Sequence, residues 1–372
     1  MYKPKVFLSY DFFSPAFKAG GPIQSCTNLV QLLENDVDFF IYTTCYDLDG
    51  KKLNIKKNQW VEFEHKSRVF YADKNFQKYK IIYSLIKKSS ADIIYIQGIF
   101  SLVYTIYPLM AAIFLKKKVI VAPRGMLQKG ALALKSTKKK LYLAILRPFF
   151  KKKNISWHAT DKVEKEDIEK YIGKGKKVDI ISNIPRLSNK LTSNKKENDR
   201  LKLITISLIA RKKNHILIIN SLKNLKLNIT YDIFGPIKES EYYYELKRAI
   251  SNLPANIKVN FNGSITPQEV DLKLQSYDLF ILPTFGENFG HAIFEALGNG
   301  IPICISKNTP WQNLGNAGYT LDLETSIWEN TLLKLAHETN KQWLTRKESA
   351  RTLACNFIES AHFREKYLDL FN

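Results

Sequence analysis

The sequence predicts an α/β protein built from two doubly wound domains. Strand-like apolar runs alternate with helical segments through the first half, a polar stretch interrupts them, and the same alternation then restarts. A length of 372 residues exceeds one ordinary core and suffices for two, and a hydrophobic fraction of 45% supports fully folded domains.

Taken in order, the first half offers strands in KVFLSY from Lys5, VDFFIYTT from Val37, SRVFYA from Ser67, ADIIYIQG from Ala91, KKVIVAPRG from Lys117 and ISWHAT from Ile155. A helix opens near Pro22, and another runs through DKVEKEDIEKYI from Asp161. The stretch from Ser188 to Arg200, SNKLTSNKKENDR, has almost no apolar content and reads as a linker. Beyond it the strand candidates are LKLITISLI from Leu201, NITYDIFG from Asn228, IKVNFNG from Ile257, YDLFILP from Tyr277 and IPICIS from Ile301. One helix start is explicit: Thr266 as N-cap, Pro267 in the first helical position and Glu269 three residues after the cap form a capping box. From about Ile327 the pattern is helical to the end. The expected division is an N-terminal domain at 1–187, a linker at 188–200, a second domain at 201–350, and a C-terminal helix at 351–372 placed to pack back on the first domain. Two Rossmann-like sheets facing across a cleft would bind ligands at the carboxyl ends of their strands, so functional residues are expected on the loops that follow strands.

The formal net charge is +22, from 57 Lys and Arg against 35 Asp and Glu. Anionic lipid, a polyanionic substrate and nucleic acid would each suit such a charge, and a Lys-, Ile- and Asn-rich codon bias would also produce it. No nucleic-acid recognition module is found, and no G-x-G-x-x-G follows the first strand, which argues against a nucleic-acid-binding protein and a dinucleotide-dependent dehydrogenase. The apolar run after Lys5 is too short for a signal peptide, so a cytoplasmic protein is expected. Cys26, Cys45, Cys304 and Cys355 stand far apart and read as small hydrophobes of a reducing compartment. Ile93 to Leu115 is largely apolar, but Gln97, Gly98 and Pro108 divide it into a buried strand and a core helix. The stretch Lys135 to Lys153 sets Leu141, Tyr142, Leu143, Ile145, Leu146, Phe149 and Phe150 between two lysine clusters; it is either a core-facing helix or a segment that lies on an anionic membrane.

After the strand YDLFILP comes the loop TFGEN, then a helix that starts near Phe289 or Gly290 and ends at GNG. The first backbone amides of a helix lack intrahelical acceptors, so those of Phe289, Gly290 and His291 suit anions or clustered hydroxyl oxygens. Gly290 permits close approach to the backbone. Glu287 precedes this helix and Glu295 lies inside it, about 8 Å beyond its start at ~1.5 Å per residue. Two carboxylates so placed can hold vicinal hydroxyl pairs at the two ends of a bound nucleotide sugar. From spacing alone the same pair could equally be a solvated loop residue and a helix-surface residue.

The run PTFGENFGHAIFEALGNGIPICIS resembles the donor-site signature of glycosyltransferase family 4, and Asn308 to Trp311, NTPW, resembles its bacterial surface-polysaccharide subset. The resemblance implies the GT-B fold and a retaining, metal-independent glycosyltransferase whose donor is a nucleoside-diphosphate sugar, with no cofactor. It implies that Glu295 binds the ribose, that Glu287 binds donor-sugar hydroxyls, and that the Phe289, Gly290 and His291 backbone holds the sugar. The family has an Arg and, five residues later, a Lys that neutralise the diphosphate. In SLIARKKNH the lysine position is Lys213, but the arginine position is Leu208, and Arg211 is the nearby substitute. Gly20 and Gly21 stand where members carry a Gly-Gly, suited to a diphosphate or acceptor approaching the backbone. Arg124 stands where many have a histidine near the reacting carbon and is a further catalytic candidate for stabilising the leaving charge. His158 follows a strand and reads as a hydrogen-bonded structural histidine, and the only D-x-D, Asp47 to Asp49, reads as a turn. The implied acceptor is a glycan, lipid-linked, in lipopolysaccharide, capsule or exopolysaccharide biosynthesis. That would bring the protein to the inner face of the cytoplasmic membrane. An epimerase or phosphorylase on the same fold is the alternative within this architecture.

Overall fold

The computed structural model describes residues 3–64, 67–128, 136–188 and 200–372. The chain forms two units, Met1–Ile184 with His362–Asn372, and Pro185–Ala361.

The first unit is built on eight strands: β1 (Lys5–Ser9), β2 (Asp38–Thr44), β3 (Trp60–Phe63), β4 (Ser67–Ala72), β5 (Ile93–Gln97), β6 (Lys118–Ala122), β7 (Ile155–Ala159) and β8 (Val178–Ile180). Their order is β3-β4-β2-β1-β5-β6-β7-β8, parallel throughout except for the β3/β4 pair at one edge. β5 and β7 are buried at every residue, as strands covered on both faces are, with Ser156 and His158 of β7 buried among apolar neighbours. Helices α1 (Gly21–Leu32), α2 (Tyr79–Ser89), α3 (Tyr107–Phe114), α4 (Ser136–Phe150) and α5 (Lys162–Tyr171) connect them. The apolar stretch from Ile93 therefore divides into β5, a short helical turn at Leu102–Ile106, and α3. Among the described residues no helix is long and apolar enough to cross a membrane. On α4, Leu143 and Phe150 join the core, whereas Leu141, Ile145 and Phe149 are exposed. Spacings of four residues put those three on one outward stripe.

The second unit has six parallel strands, β9 (Arg200–Ile206), β10 (Asn228–Phe234), β11 (Ile257–Phe261), β12 (Leu279–Leu282), β13 (Ile303–Ser306) and β14 (Gly318–Leu321), in the order β11-β10-β9-β12-β13-β14. Its helices are α6 (His215–Leu222), α7 (Ser240–Ile250), α8 (Pro267–Leu274), α9 (His291–Gly298), α10 (Thr325–Ala336) and α11 (Asn340–Ala361). Alternate residues of β12 feed two cores: Leu279 and Ile281 pack on one face, Phe280 and Leu282 on the other. The capping box of α8 forms, with Thr266 N–H donating to Glu269 Oε2 at 2.8 Å. Strand order reverses between β10-β9 and β12, which makes the β9/β12 boundary the switch point where such sheets bind ligands.

α11 contributes Ala350 and Ala354 to the second unit's core, so the return to the first unit starts at His362 rather than at residue 351. There α12 (Phe363–Phe371) sets Phe371 edge-on to Phe39 and Tyr95, and Arg364 grips the Asp36 carboxylate at 2.6 and 3.0 Å. Residues 189–199 of the expected linker lie outside the described residues.

Candidate functional site

The loops leaving β9 and β12 meet at the switch point of the second sheet. Phe285 N–H donates to the Lys212 carbonyl at 2.8 Å, and the Thr284 hydroxyl reaches the same oxygen at 3.1 Å. Ser306, at the end of β13, donates through its hydroxyl to the Thr284 carbonyl at 2.6 Å. This stitching brings Lys213 and Glu287 together: Lys213 Nζ donates to Glu287 Oε1, and the two side chains are only 16% and 14% exposed. Glu287 N–H is itself fixed on the Asn308 carbonyl at 3.1 Å.

Next along the loop, Gly290 opens α9 with φ 82° and ψ 64°. That positive φ favours glycine, and a Cβ there would also press on Ile293 Cδ1 at 2.7 Å, which the isoleucine would have to shift to relieve. The Gly290 carbonyl accepts from Ile293 and Phe294, which starts the helix. The Phe289 ring is buried against Phe294, Trp311 and Phe357, and Trp311 Nε1–H donates to the Phe289 carbonyl at 2.6 Å. The buried His291 ring lies tilted against Phe289, with ring centroids 4.9 Å apart. Glu295 lies one turn further along α9 and is 7% exposed, so the helix-surface alternative for this residue does not hold. A carboxylate so buried is stable only in polar company. Asn299, which closes the helix, donates to the Glu295 carbonyl and to Asp271 Oδ1, both at 2.9 Å.

Arg211 belongs to the same β9 loop, but its guanidinium pairs with Glu245 of α7 at 2.8 Å and lies 5.3 Å over the Tyr242 ring. The structure thus joins Lys213 to Glu287, sets Phe289 and Gly290 just before α9 and His291 and Glu295 within it, and turns Arg211 toward α7. Sequence reading had not assigned work to Thr284, Ser306 or Phe357. Asn308 and Trp311 were visible only as part of NTPW, whose position directly after a strand end was the signal that they brace the loop.

In the first unit, Gly20 adopts φ 83° at the start of α1, and Gly21 and Pro22 begin the helix. The loop before them is held by Asp47, whose carboxylate accepts from the Phe17 and Lys18 amides, both at 3.2 Å, while Asp49 pairs with Lys18 Nζ at 2.6 Å. The D-x-D therefore forms a turn and also braces the glycine loop. Arg124 is 6% exposed with φ 55°. Its Nε donates to Gln97 Oε1 at 2.6 Å, its Nη1 to Asn183 Oδ1, and its Nη2 to the Tyr95 hydroxyl at 3.1 Å. Tyr95 in turn donates to His158 Nδ1 at 2.6 Å, and His158 Nε2–H reaches the Ile181 carbonyl at 2.8 Å. Burial, with Arg124 beside it, pushes the His158 pKa down to about 3, so the ring is neutral and its tautomer is set by that carbonyl. Sequence reading also passed over Asp11, the second residue after β1, which accepts from the Ser101 hydroxyl at 3.1 Å. Burial raises its pKa to about 6. Among the described residues no group of three His, Cys, Asp or Glu is arranged to hold a metal ion.

Residues 188–314 match the family model described as "Glycosyl transferases group 1", a segment that contains every second-unit residue above except Phe357. No curated protein matches the chain in sequence. Among solved structures it is similar to sucrose-phosphate synthase from Thermosynechococcus elongatus, at TM-score 0.75 and 12% identity over 100% of this chain and 99% of that one. It is also similar to HepE of Anabaena in complex with UDP-glucose, at TM-score 0.72 and 14% identity over 98% and 99%. A third is WaaG, a glycosyltransferase involved in lipopolysaccharide biosynthesis, at TM-score 0.69 and 15% identity over 99% of both chains. These likenesses give the fold: mixed α/β with two parallel-sheet domains, the GT-B architecture.

Proposed function

We propose that this protein is a retaining glycosyltransferase that moves a sugar from a nucleoside-diphosphate donor to a glycan acceptor. The observation that carries the reading is the convergence of Lys213, Glu287 and the start of α9 at the β9/β12 switch point, inside the segment that matches the group 1 model. HepE, solved with UDP-glucose, supports a nucleotide sugar as the donor class.

In this reading Glu295 accepts from the ribose hydroxyls and Glu287 from those of the sugar, with the amides of Phe289, Gly290 and His291 beside it. Lys213 stabilises the charge that grows on the departing diphosphate, with Arg211 as its auxiliary, and a fixed cation in such a site is worth several kcal/mol. The bond from the anomeric carbon to the phosphate oxygen breaks, and the acceptor oxygen bonds to that carbon from the same face. Its proton passes to the leaving diphosphate. No metal or cofactor takes part. Arg124 orders the first unit's strand ends through Gln97, Tyr95 and Asn183, and the Gly20-Gly21 turn offers its backbone to the donor.

The acceptor is lipid-linked, as surface-polysaccharide synthesis requires, and the protein works on the inner face of the cytoplasmic membrane. The exposed stripe Leu141, Ile145 and Phe149 on α4, close in sequence to Lys138, Lys139 and Lys151 to Lys153, supports this. Incubation with a panel of nucleotide sugars tests the function: one should bind and undergo slow hydrolysis, with activity retained in excess chelator. Failure of every nucleotide sugar to bind would reject the reading.

A further inference from the structure

Lys213 and Glu287 are each other's partners, with both side chains largely withdrawn from water. Little solvent is left to share the two charges, so the pair is stronger than one on an open surface. The loops that carry it are joined independently of it. Phe285 N–H and the Thr284 hydroxyl both donate to the Lys212 carbonyl, and Glu287 N–H donates to the Asn308 carbonyl. The ion pair can therefore open while the loops stay in register.

Resting on the donor-site reading above, we infer that Glu287 discriminates intact donor from spent nucleotide by competing with the diphosphate for Lys213. An ammonium already held by a carboxylate attracts a phosphate oxygen less than a released one does. A sugar donor offers Glu287 hydroxyl groups at the moment it gives up Lys213, so the carboxylate exchanges one partner for another. A nucleoside diphosphate carries no sugar. It takes Lys213 and leaves the poorly hydrated Glu287 carboxylate without its ion-pair partner, attracted only at longer range by the neighbouring Lys212, which is costly in such surroundings. The pair thus opposes the product more than the substrate, and its re-formation after transfer favours departure of the nucleotide. The pair itself makes and breaks no covalent bond; the ammonium changes partner.

The test is calorimetric titration with whichever of UDP, GDP, ADP and dTDP binds the wild type most tightly. Glu287→Gln should bind that nucleotide about three- to fivefold more tightly, from a pair energy near the upper end for surface ion pairs. In a Lys213→Ala background the same substitution should change affinity by less than about twofold, because the partner for which Glu287 competes is gone. Thermal unfolding of each variant checks that the loops remain folded. No tightening in Glu287→Gln overturns the inference, and equal tightening in the Lys213→Ala background overturns it in favour of plain charge repulsion between the carboxylate and the diphosphate. If the wild type binds none of the four nucleotides, the donor-site reading falls and this inference with it.

Discussion

Glu295 lies within the second turn of α9 with 7% of its surface exposed, where a carboxylate contributes most through charge-assisted hydrogen bonds. Glu295→Ala should weaken donor binding by about 10- to 100-fold, the equivalent of roughly 1.5–3 kcal/mol, measured by titration with the nucleotide sugar that the wild type binds. Unchanged affinity in a folded variant would remove Glu295 from the site. The cation is a separate question, because the position expected for an arginine is Leu208. Lys213→Ala should abolish most transfer, whereas Arg211→Ala should reduce it less, though by more than the ~0.5 kcal/mol typical of a surface change. Wild-type turnover in Arg211→Ala would confine Arg211 to bracing α7 through Glu245 and Tyr242. The sequence placed both cations on one loop. Their directions were not legible, because Glu245 and Tyr242 come from a helix beyond the next strand, and such partners follow from tertiary packing. Arg124 is a similar case: it stands at the expected strand end, yet Gln97, Asn183 and Tyr95 from distant segments enclose it.

Strands buried on both faces were the most readable, since β1, β5 and β12 are near-continuous apolar runs. β3 is a half-exposed edge strand, β8 has three residues and β14 begins with glycine, so none carries a strand-like run of its own. The α9 boundary was legible through Gly290, but what holds the loop before it was not. That loop hangs on Trp311, whose indole N–H meets the Phe289 carbonyl while its ring packs on Phe289, Phe294 and Phe357. Trp311→Phe keeps an aromatic ring and deletes the donor. It should destabilise the fold by about 1–2 kcal/mol and raise the donor KM, because the Phe289 amide region then loses its anchor. Thermal unfolding and donor-saturation kinetics check the two effects, and a variant with unaltered KM would make the indole a packing group only.

At the scale of the whole molecule, the net charge of +22 has a use if the protein meets an anionic surface, and α4 supplies the apolar part of such a contact. Leu141, Ile145 and Phe149 are 63%, 60% and 43% exposed, and on α3 of the same unit Met110 and Phe114 are exposed as well. Leu143 and Phe150 face the core, so the helix anchors in the sheet's packing and presents its other side outward. From the sequence these roles were open, because one stretch contained enough apolar residues for either. On such a surface, lysines along the segment would snorkel toward headgroups, each worth about 1 kcal/mol near an anionic membrane and screened within about a Debye length. Attachment should accordingly be reversible: co-sedimentation with anionic vesicles at low salt, release at high salt, and little binding to neutral vesicles. Replacing Lys138, Lys139 and Lys140 by Glu should abolish the low-salt binding, and replacing Leu141, Ile145 and Phe149 by Ser should weaken it at every salt concentration, since apolar burial is not screened. Sedimentation that ignores salt, or that persists unchanged in the glutamate variant, would refute docking through α4 while leaving the roles of Lys213, Glu287 and Glu295 untouched, because those residues lie in the second unit.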